Sequence, residues 1–147
     1  MKTTTHHPAT QCGAPAVRAV RGATQTTYDT PRLIEKATGE LLTEIMRRNG
    51  LAQEDFISIL FTATPDLSSA YPAATARELG LTDVPLMCAT EIAVPGSLSR
   101  TIRILAHVHT PKTREAIRHV YLGGTKVLRP DLTTADTGST PPLPQGE

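Results

Sequence analysis

The sequence predicts an α+β domain, a mixed β-sheet with one long and one short helix on one face. Three observations carry this. Period-two alternation marks strands at Ile57, Ile59, Phe61 and Ala63, and again at Ile102, Ile104, Ala106 and Val108. Helical spacing links Ile34, Ala37 or Thr38, Leu41 and Ile45. Both ends of the 147-residue chain shift to Thr, Pro and Gly. That leaves one domain over 16–132, between a disordered leader over 1–15 and a flexible tail over 133–147.

The first strand is Val17–Thr24. Thr30 or Asp29 caps the long helix, Pro31 suits its first turn, and Asn49-Gly50 stops it. Phe56–Thr64 is the second strand, broken by Pro65-Asp66. The short helix spans Pro72–Leu79 and ends at Gly80. Val84–Cys88 is a short strand, and Thr101–His109 a clear one that Thr110-Pro111 ends. Arg103, Leu105, His107 and His109 share its second face. His119–Leu122 and Lys126–Arg129 are the last strand pieces, around Gly123-Gly124. The order is β-α-β-α-β-β-β. Both helices are used on one sheet face, so the apolar residues of the other face call for a subunit partner.

Hydrophobic residues make up 39% of the chain, but aromatics only 3% and Trp none, so the core is modest and built from aliphatic side chains. A net charge of +1 excludes a broad basic field for nucleic acid or lipid. No apolar run reaches the length of a membrane span, and the first residues lack a hydrophobic stretch, so a cytoplasmic protein is expected. Cys12 and Cys88 form no disulfide framework or zinc pattern. His107 and His109 share a strand face, but they and His119 match no metal-ligand spacing; neither a metal nor a cofactor is expected. No Gly-rich phosphate loop and no nucleophile elbow is present.

What remains is arginine on strands and a lone glutamate. Arg outnumbers Lys eleven to four; a compositional bias accounts for the larger share of the excess, although Arg is also the better fork for carboxylates. Arg21 lies inside the first strand, next to a Gly22 that would let a ligand approach the backbone. Arg103 lies between two Ile and needs a partner or a wet cavity. Arg77 is on the short helix, and Glu91 follows Cys88-Ala89-Thr90 at a strand end. Each Arg has an ordinary reading as an ion pair, with Glu91 the obvious partner. By themselves these residues specify a pocket for a small anion.

Four stretches go further. They are Val17–Thr24; Thr62-Ala63-Thr64-Pro65-Asp66-Leu67 with Tyr71-Pro72-Ala73-Ala74 and Ala76-Arg77-Glu78; Val84–Glu91; and Ile102-Arg103 with Arg118-His119-Val120-Tyr121-Leu122 and Leu128-Arg129-Pro130-Asp131-Leu132. In order and spacing they resemble the monofunctional AroH-class chorismate mutases, over nearly the whole predicted domain. The resemblance implies a homotrimer of α+β subunits, of ferredoxin-like or pseudo-barrel type, with sheets packed around the centre and active sites between subunits. It implies the rearrangement of chorismate to prephenate on the way to phenylalanine and tyrosine. It also implies roles. Arg21 binds a substrate carboxylate. Arg103 reaches the ether oxygen and a carboxylate. Glu91 accepts the ring hydroxyl, and Cys88 lies against the ring, with Met87, Ala89 and Thr90 beside it. Tyr121 contacts the side-chain carboxylate. Tyr71 and Arg77 come from the neighbouring subunit. Leu128 lines the cleft and Arg129 its edge. The chain departs from the pattern at Tyr71, where the family often has Phe, at Ala74, where some members have Lys, and at Met87, which replaces a small polar residue. Trimeric imine deaminases of the RidA type also set Arg at intersubunit clefts, but the four stretches match the mutases. The implied reaction is pericyclic and needs neither a general base nor a nucleophile, so Cys88 is expected to pack against the substrate.

Overall fold

A computed structural model describes residues 12–128. Its elements are β1 (Cys12–Gln25), α1 (Pro31–Asn49), β2 (Phe56–Ala63), α2 (Pro72–Glu78), β3 (Leu86–Thr90), β4 (Thr101–Lys112) and β5 (Val120–Tyr121). This is the expected β-α-β-α-β-β-β order, and it differs from the β-α-β-β-α-β of a ferredoxin-like fold. The sheet order is β3-β2-β4-β1-β5. β4 runs antiparallel to both β1 and β2, while β3 is parallel to β2 and β5 to β1. Among the described residues no helix is long and apolar enough to cross a membrane.

α1 forms where its spacing places it. Thr30 is extended and its hydroxyl accepts the Leu33 amide, while Gly50, at φ 61, ends the helix in the left-handed region that glycine tolerates. The buried stripe is Ile34, Ala37, Thr38, Leu41, Leu42, Ile45 and Asn49. Leu41, Leu42 and Ile45 join Ala73 and Ala76 of α2 against Val20, Ile59, Phe61, Ile104, Ala106 and Val108 of the sheet. Both helices therefore lie on one face. Burying one such aliphatic side chain contributes about 1.5–3 kcal/mol.

Several boundaries move. β1 begins at Cys12, so residues 12–15 are strand and not leader: Cys12 pairs with Lys112 across an irregularity that ends at Ala16. Backbone pairing needs no apolar alternation, so Gly13-Ala14-Pro15 hid it. β4 passes through Thr110-Pro111 to Lys112, because β2 is already past its end there and no ladder partner requires the missing proline N–H. β3 is Leu86–Thr90, two residues later than expected, with the Pro85 carbonyl accepting the Ile59 amide. The strand expected at Lys126–Arg129 is a 3-10 turn, Gly123–Leu128; Gly123 has φ 58, and the Thr125 hydroxyl reaches the carbonyls of Leu122 and Ala23. Arg129, the tail from 133 and residues 1–11 of the leader lie outside the described residues.

Among the described residues no helix lies on the second sheet face. Met87 and Val17 on it are 64% and 53% exposed, and Leu60 and Leu105 are half-buried. Between these apolar groups stand Arg21, Arg103 and His107.

Candidate active site

Strand register builds the site on that open face. Arg103 pairs with Ala23 of β1 on one side and Thr62 of β2 on the other, and Ala23 pairs in turn with Tyr121 of β5. Thr62, Arg103, Ala23 and Tyr121 thus form one row across four strands. Arg21 lies opposite Leu105, so it is a diagonal neighbour of Arg103 at about 7–8 Å. Tyr121 is two strand spacings from Arg103, about 10 Å. Ala23, the smallest member, separates the two long side chains.

Glu91 closes the row from β3. Its amide donates to the Ala63 carbonyl at 2.9 Å, carrying the β2–β3 pairing past the strand end. Alternation puts its side chain with Met87 and Ala89, on the open face. Arg103 Nε lies 2.8 Å from Glu91 Oε1, with side-chain exposures of 32% and 14%. The Nε–H is not aimed at that oxygen, so this is an ion pair without a well-formed hydrogen bond. The Thr62 hydroxyl supplies the aligned bond, donating to Glu91 Oε1 at 2.7 Å. The mid-strand Arg is thus both paired, as the ordinary reading required, and open to solvent. Tyr121 is 3% exposed, and its buried hydroxyl has no hydrogen-bond partner among the described residues. The Arg21 guanidinium has no ion-pair partner among them either.

The remaining expected residues gather elsewhere. Cys88 and Thr90 point to the opposite face of β3, where Cys88 packs against the core. With Tyr71, Leu67, Ser68 and Ala70 they line a cavity of about 340 Å³. Tyr71 caps α2 at 75% exposure, and Arg77 stands exposed in the last turn. Leu128 is half-buried at the end of the 3-10 turn. Within one chain the expected residues therefore form two groups, on opposite sides of the sheet. Arg21, Glu91, Arg103 and Tyr121 are brought together, and Tyr71, Cys88 and Thr90 are brought together apart from them.

Gly22 is a correction. It faces α1: a Cβ there would lie 2.8 Å from Ile45 Cδ1 and 3.3 Å from the Val120 carbonyl. The close approach it permits is that of the helix, not of a ligand. Two carboxylates also clamp loops. The Asp66 carboxylate accepts the Arg100 amide at 2.9 Å and the Thr64 hydroxyl, and the Thr64 hydroxyl oxygen accepts the Thr101 amide. The Thr64 hydrogen bond, then the Arg100 amide, hold the Asp66 carboxyl below its ordinary range against the opposing effect of burial. Asp29 accepts the amides and hydroxyls of Ser68 and Ser69, and the Ser69 hydroxyl contributes most to lowering its carboxyl.

With this geometry, relatedness decides the family. A family model described as chorismate mutase type I matches residues 17–132. The chain belongs to that family. Chorismate mutase AroH of Thermus thermophilus is 47% identical over 120 residues, covering 81% of this chain and 98% of the relative. Chorismate mutase AroH of Bacillus subtilis (strain 168) is 42% identical over 118 residues, covering 80% and 93%. A solved chorismate mutase from Clostridium thermocellum superposes with a TM-score of 0.74 at 49% identity, over 75% of this chain and 98% of that one. Two contacts to the expected residues escape sequence reasoning: the Thr62 hydroxyl on Glu91, and the His119 ring on the Arg21 amide. Thr62 was findable, because strand alternation already placed it opposite the apolar face. His119 was not, because its partner is a backbone amide.

Proposed function

We propose that this chorismate mutase rearranges chorismate to prephenate in the cytoplasm as a homotrimer. Each cleft would join the open face of one subunit to the Tyr71–Cys88 side of its neighbour. The mechanism is conformer selection and electrostatic stabilisation, with no covalent or acid–base step. The observation that carries this reading is the Arg103–Glu91 pair, fixed mid-strand on an uncovered face.

In the rearrangement one C–O bond breaks as one C–C bond forms, and no proton needs to move. The enzyme's task is to hold a flexible dianion in its compact form. Arg21 and Arg103 are rooted on adjacent strands about 7–8 Å apart at their backbones, a spacing suited to two carboxylates. The Tyr121 hydroxyl, without a partner among the described residues, offers a further donor. Negative charge grows on the ether oxygen as the bond stretches, and a fixed guanidinium aimed there stabilises the transition state more than the ground state. Glu91, anchored by Thr62, holds Arg103 in place and accepts the ring hydroxyl of the substrate. Cys88 packs against the ring from the neighbouring subunit, together with Tyr71 and Arg77. Met87, Ala89, Thr90 and Leu128 border the cleft.

Two features support an intersubunit site. The open face carries apolar side chains that no described residue covers, and the expected ligands lie on both sides of the sheet. Subunit complementation tests this. Arg103→Ala and Arg77→Ala proteins, each nearly inactive, are unfolded together and refolded as a mixture. In a trimer whose sites draw one half from each neighbour, about a quarter of the sites regain both wild-type halves. Recovery near that fraction of wild-type chorismate turnover is the expected result. A mixture no more active than its components would refute the composite site.

A further inference from the structure

β5 is only two residues long. It pairs with Gly22 and Ala23, and the Leu122 amide completes the ladder at the Ala23 carbonyl. One step earlier, at Arg21, the strand has run out. The Arg21 amide instead donates to Nδ1 of the His119 ring at 3.0 Å. The imidazole stands where the next backbone carbonyl of the ladder would have been. Because a backbone N–H only donates, Nδ1 must be the unprotonated nitrogen, which fixes the Nε2–H tautomer.

The ring is anchored from the core. The adjacent Arg118 is gripped on both backbone groups by Asn49: its amide donates to Asn49 Oδ1 at 2.7 Å and its carbonyl accepts Asn49 Nδ2 at 2.8 Å. Asn49 is 1% exposed and also donates to the Ile45 carbonyl of α1. The chain of contacts runs from α1 through Asn49, Arg118 and His119 to the Arg21 amide. On the next residue, Gly22 is bedded against Ile45. The backbone of Arg21 is thereby held from two directions, while its guanidinium has no ion-pair partner among the described residues to set its aim.

We infer that His119 is a positioning residue for Arg21: its unprotonated Nδ1 fixes the strand so that the Arg21 guanidinium is set for a substrate carboxylate before substrate arrives. The inference rests on the reading of Arg21 as a carboxylate ligand, and the experiment separates the two. Steady-state kinetics on chorismate are measured for the full-length wild type, Arg21→Ala, His119→Leu, His119→Asn, His119→Gln and the Arg21→Ala/His119→Leu double variant. Asn places an acceptor oxygen where Nδ1 lies, whereas Gln places its amide near the Nε2 position. His119→Leu should raise KM about tenfold, the effect of one lost hydrogen bond, with kcat within about threefold. His119→Asn should restore KM to within about threefold of wild type and His119→Gln should not. The double variant should be no worse than Arg21→Ala, since His119 acts through Arg21.

Wild-type KM in both the Leu and Gln variants, with Arg21→Ala impaired, would overturn the positioning role. Effects that multiply in the double variant would also overturn it, by showing that His119 acts independently. Wild-type KM in Arg21→Ala would instead refute Arg21 as a ligand, and the inference with it. If circular dichroism shows that the Leu variant does not fold, the Asn and Gln variants decide: a raised KM in Gln alone supports the inference, and equal values overturn it.

Discussion

Arg103→Lys is the sharpest perturbation, because it keeps the charge and removes the fork. Arg103 is rooted mid-strand between Thr62 and Ala23 and held against Glu91 at 2.8 Å. Its side chain is 32% exposed, so an intermediate dielectric is appropriate. For about half an electron of charge developing ~3 Å from the guanidinium at an effective dielectric of ~20, Coulomb's law gives about 3 kcal/mol. That is roughly a hundredfold in kcat, in line with the loss of a preorganised donor elsewhere, about 10²–10³-fold. Arg103→Ala should lose at least this much. The lysine ammonium is a point charge that Glu91 draws toward itself, and it cannot face both the carboxylate and the ether oxygen as a planar fork does. Arg103→Lys should therefore lose most of the same factor, chiefly in kcat. The assay follows the loss of chorismate absorbance over a range of concentrations. A kcat within about threefold of wild type in Arg103→Lys would refute the argument that a fixed fork drives catalysis.

Three further outcomes are expected. Cys88→Ser should keep kcat within about threefold of wild type, since a pericyclic step uses no thiolate; abolished turnover in a folded protein would point to covalent chemistry. Asp66→Asn should destabilise by about 1 kcal/mol, a shift of a few degrees in Tm near pH 6, because it discharges the acceptor of the Arg100 amide. The native carboxyl of Asp66 titrates below its unfolded value of 3.8, so its contribution is fully present above that pH and is lost as pH falls through the lowered native value. The Tm gap between wild type and Asp66→Asn should then narrow as pH falls below 3.8; a gap that stays constant down to acid unfolding would contradict the linkage. Gly22→Ala should cost about 1–3 kcal/mol by crowding Ile45, Leu41 and the Val120 carbonyl, and thermal unfolding at an unchanged Tm would show that α1 does not approach as closely as described.

Much of this was legible in the sequence, and what was hidden has physical causes. α1 could be read to within a residue because a cap, a stripe and a stop signal agree on it. The two faces of β4 could be read because its central residues alternate cleanly. β1 was shortened because Gly13, Ala14 and Pro15 carry no pattern, and pairing to Lys112 is a tertiary event. The 3-10 turn at Gly123–Leu128 was misread because its form depends on the Thr125 hydroxyl reaching a carbonyl a hundred residues away in sequence. The arginines and Glu91 were found by residue type and spacing. The separation of Cys88 and Thr90 from Glu91, on opposite faces of β3, was not, because it follows from the β2–β3 register, and alternation alone cannot say which phase of so short a strand faces the helices. Gly22 was misassigned for the same reason.

The same register explains why so much of the polar chemistry is spent on backbone. Asp66, in one of the stretches that carry the resemblance, makes its hydrogen bonds with Thr64 and Arg100 and not with the candidate site. It grips the amide of Arg100, which adopts φ 44, a conformation that L side chains rarely take, immediately before β4. Arg103 lies three residues further on. Asp29 grips the amides of Ser68 and Ser69, three and two residues before Tyr71. His119 grips Arg21 itself, and Thr62 grips Glu91. Each of these four proposed ligands is thus clamped directly or stands within three residues of a clamp made by another segment. A reaction with no proton to move leaves an enzyme only geometry and charge to work with, and a charge stabilises a transition state only if it does not relax toward the ground state first. On that logic the clamps belong to the catalytic design as much as the guanidiniums do. An arginine of the right type in the right row, on a strand free to shift by an ångström, would bind the substrate and still be slow.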